Sequence, residues 1–226
     1  MAIFLTVTSH PDDEILGFGG SAYFLTKKGH VVQNCMLSGH VEERKNRPEL
    51  IELNRNIDKA QKIVGAEKPI LGNFPNIKFN TVPHIELVQF IEQIILDTKP
   101  DYIITHHPHD LNNDHYHTSK ACQAAARLYQ RRKIKKIKGL YFMEVPSSTD
   151  WSFQSTENSF KPDTFIAIGT TGLNRKIKAL NSYKGIMRDY PHPRSEEAIK
   201  ALSVIRGAQA GRKFCESFQT AINVID

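Results

Sequence analysis

The sequence predicts an α/β fold: a single Rossmann-like domain over residues 1–226, with a mostly parallel sheet and helices on both faces. Three observations predict it. Short apolar runs alternate with longer segments of helical periodicity. The length suits one α/β domain with a full core and is short for two. Histidine and acid clusters follow two of the expected strands, at the carboxyl ends where open α/β sheets bind ligands.

The elements follow in order. Ile3-Phe4-Leu5-Thr6-Val7-Thr8 lies in a strand over 2–8, and a helix is expected over 12–28. Gly17-Phe18-Gly19-Gly20 lacks the spacing of either nucleotide motif and is read as close helix packing. A second strand is expected over 31–37. A long helix over 44–65 ends at Gly65, with Ile51, Ile57, Ala60 and Val64 at roughly helical spacing. Ile70-Leu71 is a short third strand. The helix over 84–97 stops before Pro100, and Tyr102-Ile103-Ile104-Thr105 is the fourth strand. Further helices are expected over 114–132, 171–187 and 194–211, and strands over 139–144 and 163–167. A strand order 3-2-1-4 would set the first and fourth strands side by side, bringing both clusters to one site. The polar stretch 146–162 is expected as a loop near that site.

Composition narrows the function classes. With 40% hydrophobic and 24% charged residues, the chain falls within the range of soluble globular proteins. No apolar run reaches the roughly 18 residues of a membrane span. The N-terminus reads as a strand, not a signal peptide. Cys35, Cys122 and Cys215 are widely spaced and odd in number, which fits a reducing cytoplasm. Much of the net charge of +6 comes from Arg131 to Lys138, at the end of a helical stretch. Cations favour that position, so a solvated helix end is expected there. No aromatic residue interleaves the run, which disfavours nucleic acid as a partner. Oligomeric state is left open, a homo-oligomer included.

The chemistry concentrates in two segments. His10-Pro11-Asp12-Asp13-Glu14 follows the first strand. A histidine with an aspartate three residues on can hold a metal ion, and a spare carboxylate beside them can act as a base. After the fourth strand, five of the chain's ten histidines fall within residues 106–117. Asp114 is expected to cap the helix and His115 to lie in its first turn, where it would join His10 and Asp13. Three protein ligands leave a position open for water, as in catalytic zinc sites. Asp110 either orients a ligand imidazole or caps a turn. His106, His107, His109 and His117 are expected as supporting or loop residues, and Glu14 as structural at the helix start. No Gly-x-Ser-x-Gly elbow supports serine chemistry.

These segments resemble the zinc-dependent N-acetyl-sugar deacetylases of the LmbE/PIG-L type. The resemblance rests on His10 to Glu14, on Asp110-Leu111-Asn112-Asn113-Asp114-His115, and on Arg206-Gly207, Gly211 and Phe214 to Phe218. It implies Zn2+, or another divalent metal, held by His10, Asp13 and His115, with Asp110 and Asp114 behind the ligands. It implies that Asp12 is the base that activates the zinc-bound water against an acetamide carbonyl. Some relatives carry a histidine where this chain has Asn112. An Asn amide can donate to an oxyanion but cannot supply a proton, so the general acid is left among Asp12, His107, His109 and His117. Arg44 and Arg194 are candidates for binding an anionic group or hydroxyls of the substrate. The implied substrate is an N-acetylated amino sugar or glycoconjugate. A zinc amidase acting on a non-sugar amide is the alternative enzyme. A sugar- or nucleic-acid-binding protein without catalysis is the alternative outside enzymes.

Overall fold

The computed structural model describes residues 1–41, 48–152 and 158–225. The elements run β1 (Ile3–Thr8), α1 (Asp13–Lys27), β2 (Val31–Met36), α2 (Leu50–Val64), β3 (Ile70–Leu71), α3 (His84–Thr98) and β4 (Tyr102–His106). They continue with α4 (Asn113–Ala125), β5 (Gly139–Met143), β6 (Thr164–Ala167), α5 (Gly169–Leu180), α6 (Glu196–Gln209) and β7 (Cys215–Asn223).

One sheet has the strand order β3-β2-β1-β4-β5-β7-β6. Its first five strands pair in parallel, and β7 runs antiparallel to both β5 and β6. The expected order 3-2-1-4 is present, so β1 and β4 are neighbours, with Val7 opposite Thr105. Both faces are covered, which is why β1 and β4 read as nearly continuous apolar runs. Alternate residues serve opposite cores. Ile104, Val32 and Met143 pack with α1, α2 and α5. Leu5, Val7, Ile103 and Leu140 pack with α3 and α4.

The structure corrects several element boundaries and adds a strand. β7 lacks a legible strand pattern, because Glu216, Ser217, Gln219 and Thr220 dilute its apolar residues. The last strand fills the gap between β5 and β6 and supplies Phe218 to the core. α4 stops at Ala125, followed by a separate 3-10 turn at Leu128–Gln130. α5 stops at Leu180, well before residue 187. α2 begins at Leu50, and the earlier part of the expected helix falls largely on residues outside those described. Its C-terminal glycine adopts the left-handed conformation expected there, Gly65 having φ 76°. Among the described residues no helix is long and apolar enough to cross a membrane.

Helix α1 is held with unusual care, and its N-terminus carries Asp12 and Asp13. A Cβ at Gly17 would meet Met143 Sδ at 2.4 Å, so the glycine run serves close packing. Lys176 and Glu216, both buried, enter the helix as an ion pair at 2.7 Å. Lys176 Nζ donates to the Leu16 carbonyl at 2.7 Å. Glu216 accepts the N–H groups of Gly20 at 3.0 Å and Ser21 at 2.7 Å. The basic run ends in ion pairs as well as solvent: Arg131 pairs with Glu92, and Lys135 with Asp101 at 3.0 Å.

Candidate active site

The two clusters meet at the carboxyl ends of β1 and β4. His10 follows β1, Asp13 opens α1, and His115 lies in the first turn of α4. One ligand atom from each lies within 4.8 Å of the other two, and all three residues are buried. Asp13 Oδ2 is the hub. It stands 3.4 Å from His10 Nδ1 and 3.1 Å from His115 Nε2, and it accepts the His10 backbone N–H at 3.0 Å.

Two further carboxylates orient the imidazoles. Asp114 Oδ2 meets His10 Nε2 at 2.9 Å, and Asp110 Oδ2 meets His115 Nδ1 at 3.2 Å. A carboxylate fixes the proton on the nitrogen it faces, leaving the other nitrogen with its lone pair. The nitrogens so exposed, His10 Nδ1 and His115 Nε2, both face Asp13. Asp114 also accepts the N–H groups of Ile77 at 2.6 Å and Phe79 at 3.0 Å. It therefore pins a neighbouring turn while it holds His10. The helix cap is not Asp114 as expected but Asn112, whose Oδ1 accepts the Asp114 N–H at 2.9 Å. Asp114 is thereby left to the imidazole.

Asp110 is held in turn by the segment expected as a loop near the site. Ser148 Oγ donates to its Oδ1, Thr149 Oγ1 donates to its Oδ2 at 3.0 Å, and the Asn112 N–H donates to Oδ1 at 3.1 Å. Ser148 and Thr149 carried no signal in the sequence, because serine and threonine are ordinary in any polar loop. His106 is the last residue of β4, not a loop residue. Its ring stacks on His115 at 3.7 Å and 14°, and its Nε2 accepts the Ser9 N–H at 2.9 Å. A second grouping, His106 with Asp110 and His115, shares His115. It is the poorer metal site, since the Asp110 oxygens are already taken by the two hydroxyls and the Asn112 N–H.

The site favours positive charge. Burial opposes a proton on His115, but Asp13 and Asp110 outweigh it and raise the imidazole to about 10. Burial likewise opposes the charge on His10, while Asp114 and Asp13 raise it. Burial would raise Asp13, yet the surrounding imidazoles hold it well below the usual carboxylate range. His106 is pushed the other way, to about 3, by burial and by His115. The carboxylates that favour a proton here would equally favour a cation. His115 Nε2 is buried and faces Asp13 Oδ2 at 3.1 Å without forming a hydrogen bond to it. An orphaned nitrogen, a nearby carboxylate oxygen and a second imidazole lone pair fit a divalent metal of the zinc type.

Asp12 sits beside this trio with different surroundings. It precedes α1 as N-cap and its carbonyl accepts the Leu16 N–H at 2.9 Å, but its side chain makes no cap bond. Its backbone has φ 109° and ψ −32°, a conformation that costs a non-glycine residue about 1–3 kcal/mol. Glu14 Oε2 accepts the Asp12 N–H at 3.0 Å. The other oxygen, Glu14 Oε1, accepts from Tyr183 Oη at 2.6 Å and Gln61 Nε2 at 3.0 Å. Burial pushes the Glu14 carboxyl up to about 8 against the Tyr183 bond. Arg194 Nη1 stands 3.5 Å from Asp12 Oδ2, and Arg194 Nε donates to Ser147 Oγ at 2.6 Å. Arg44 lies outside the described residues. His107 packs edge-on against Phe142 and Phe160, and burial with the neighbouring His109 lowers it to about 4. His109 is exposed, and His117 is half-buried on α4 beside Tyr116.

The relatives of this chain define its class. Residues 5–126 match the PIG-L family, described as GlcNAc-PI de-N-acetylase, and the chain belongs to that deacetylase family. It is 25% identical over 189 residues to an uncharacterized deacetylase, YaiS, of Escherichia coli K12, covering 80% of this chain and 89% of YaiS. Its fold matches N,N'-diacetylchitobiose deacetylase from Pyrococcus horikoshii with a TM-score of 0.78 at 15% identity, over 97% of this chain and 83% of that one. It also matches GalB, the 4-carboxy-2-hydroxymuconate hydratase of Pseudomonas putida KT2440, with a TM-score of 0.78 at 19% identity, over 100% and 98% of the two chains. One fold therefore carries more than one reaction, and the site must decide between them.

Proposed function

We propose that this protein is a metal-dependent N-deacetylase acting on an N-acetylated amino sugar or glycoconjugate, releasing acetate and a free amine. One observation carries the reading. Two imidazoles, each tied by a carboxylate, turn their remaining nitrogens toward Asp13, and an aspartate whose side chain makes no cap bond stands beside them. We assign His10, Asp13 and His115 as ligands of Zn2+ or another divalent ion, with Asp110 and Asp114 orienting the imidazoles. When bound, such an ion lowers the pKa of water and polarises a carbonyl oxygen.

The chain supplies the proton handling. Asp12 accepts a proton from the attacking water as the new C–O bond forms. It then returns that proton to the nitrogen as the C–N bond breaks. The packing of His107 between Phe142 and Phe160 argues against it as the acid, and we assign both steps to Asp12. Asn112 keeps its Nδ2 donors for the oxyanion, since its Oδ1 serves the helix cap. Arg194 steadies the Asp12 carboxylate and, with Arg44, is assigned to substrate hydroxyls or an anionic group. The family's description as a GlcNAc-PI de-N-acetylase supports a sugar substrate. Three buried unpaired cysteines fit the cytoplasm we assign as its compartment.

The test is metal content beside an acetate-release screen. Purified protein should hold about one metal ion per chain, and His115→Ala should lose it. Asp12→Ala should keep the metal and lose deacetylation. Full activity in Asp12→Ala would refute the base assignment. Protein that takes up neither zinc nor another divalent ion would refute the metal site. Hydrolysis confined to non-sugar amides would move the protein to the amidase reading.

A further inference from the structure

The chain has a single tryptophan, Trp151, and it is 40% exposed. Tryptophan is normally among the more buried residues, so an exposed one beside a polar cluster calls for a reason. Its position supplies one. Trp151 lies in a 3-10 turn, Asp150–Ser152, directly after the residues that reach the floor of the site. Ser147 accepts from Arg194 Nε, Ser148 contacts both Asp110 and His115, and Thr149 binds Asp110. The turn is itself fixed. Ser147 has φ 68°, Val145 N–H donates to Thr149 Oγ1 at 2.8 Å, and Ser152 Oγ donates to the Thr149 carbonyl at 2.8 Å.

The ring also meets a second loop. His192 meets it edge-on at 5.3 Å and 70°. His192 is held by its own loop: its Nδ1 accepts the Arg194 N–H at 3.0 Å, and its N–H donates to the Asp189 carbonyl at 3.1 Å. Arg194 in turn reaches Asp12. Two loops distant in sequence, one anchored at His115 and one at Asp12, thus converge on one indole. The indole keeps 40% of its surface exposed despite that contact.

We infer that Trp151, braced by His192, is a stacking platform for the pyranose ring of the substrate. The inference deepens the sugar-deacetylase reading and rests on it. A pyranose has one flatter face of C–H groups and a rim of hydroxyls. The indole face would take the C–H groups, and Arg194 and Ser147 stand within two to four residues of the platform pair to meet the rim. A ring-less acetamide gains nothing from such a surface. Trp151 is therefore a specificity determinant and takes no part in proton transfer.

The lone tryptophan makes the experiment direct. Emission is followed while the zinc-loaded protein is titrated with N-acetylglucosamine, with N-acetylglycine as the ring-less control. The sugar should change the emission saturably and the control should not. Trp151→Ala should raise KM for the sugar about tenfold, and Trp151→Phe should recover most of it. A sugar that is turned over without moving the emission would overturn the inference, as would an unchanged KM in Trp151→Ala. A saturable change with no turnover would keep the platform and refute the deacetylase reading. Turnover of N-acetylglycine alone, with no response to the sugar, would overturn both.

Discussion

Glu14 holds Asp12 in place through the backbone: its Oε2 accepts the Asp12 N–H at 3.0 Å, where Asp12 has φ 109°. The strained conformation turns the carboxylate away from helix capping. Glu14 is anchored by Tyr183 and Gln61, and Gln61 is linked through Asn34 to Thr6 on β1. The last acidic residue of the first cluster thus acts on the first. Glu14→Ala should cut kcat by about 100-fold, the scale of a small misplacement of a reacting group. Glu14→Gln keeps an oxygen for the Asp12 N–H and should recover much of that loss. Metal stoichiometry should stay at wild type in both. Loss of metal in Glu14→Gln would show that Glu14 shapes the ligand trio instead of Asp12.

Asp110 and Asp114 each orient one imidazole, so removing either should weaken metal binding by about 10–100-fold. The two variants should differ in stability. Asp114 also satisfies two backbone N–H groups in the turn at Ile77 and Phe79. Asp114→Ala should therefore lower the melting temperature of metal-free protein more than Asp110→Ala does. Competition with a chelator measures the first effect and calorimetry the second.

Lys176 and Glu216 satisfy groups inside helix α1 from a buried position. Breaking such a pair leaves a buried charge alone, at a cost of about 3–5 kcal/mol. Lys176→Met should approach that loss in denaturant unfolding. The double variant Lys176→Met, Glu216→Gln should be less damaged than Lys176→Met alone, because no charge is then stranded.

Asp101 ties three strands at the far end of the sheet. Its carboxylate accepts the Ile3 N–H at 2.9 Å, and its carbonyl accepts the Lys138 N–H at 2.7 Å. Burial would raise its pKa, but the Ile3 N–H and Lys135 outweigh burial and lower it. The unfolded chain then takes up the proton first. The contribution is complete above the unfolded value of about 3.9 and fades as pH falls through the lower folded value. Asp101→Asn should lose about 1 kcal/mol at pH 7, or roughly 2–4 °C in melting temperature. The gap from wild type should close toward pH 3. A constant gap over that range would assign the effect to packing.

Much of this protein is legible from residue order because its signals are local. Alternating apolar runs and helical periodicity reveal the parallel strands and most helices. The two clusters mark where chemistry is concentrated, and the strand order 3-2-1-4 joins them. β7 escaped this reading because it is an antiparallel strand whose polar residues, Glu216 among them, face partners that only the fold provides. The end of α4 escaped for a related reason: Arg127, Leu128 and Gln130 still favour helix, and packing breaks the run. The end of α5 is marked locally, by Asn181, Ser182 and Gly185, whose φ is 75°.

The sequence by itself determined the fold class, the family resemblance and the convergence of His10, Asp13 and His115 as candidates. These follow from backbone periodicity and from residue types whose chemistry is fixed. Only the tertiary structure decided what each polar side chain does. It gave the helix cap to Asn112 and freed Asp114 for His10. It set Ser148 and Thr149 behind Asp110, and Glu14 behind Asp12. A hydrogen bond needs its partner within about 3 Å and in line. Residues 38 positions apart, such as Asp110 and Ser148, meet that condition only after the sheet has brought their loops together.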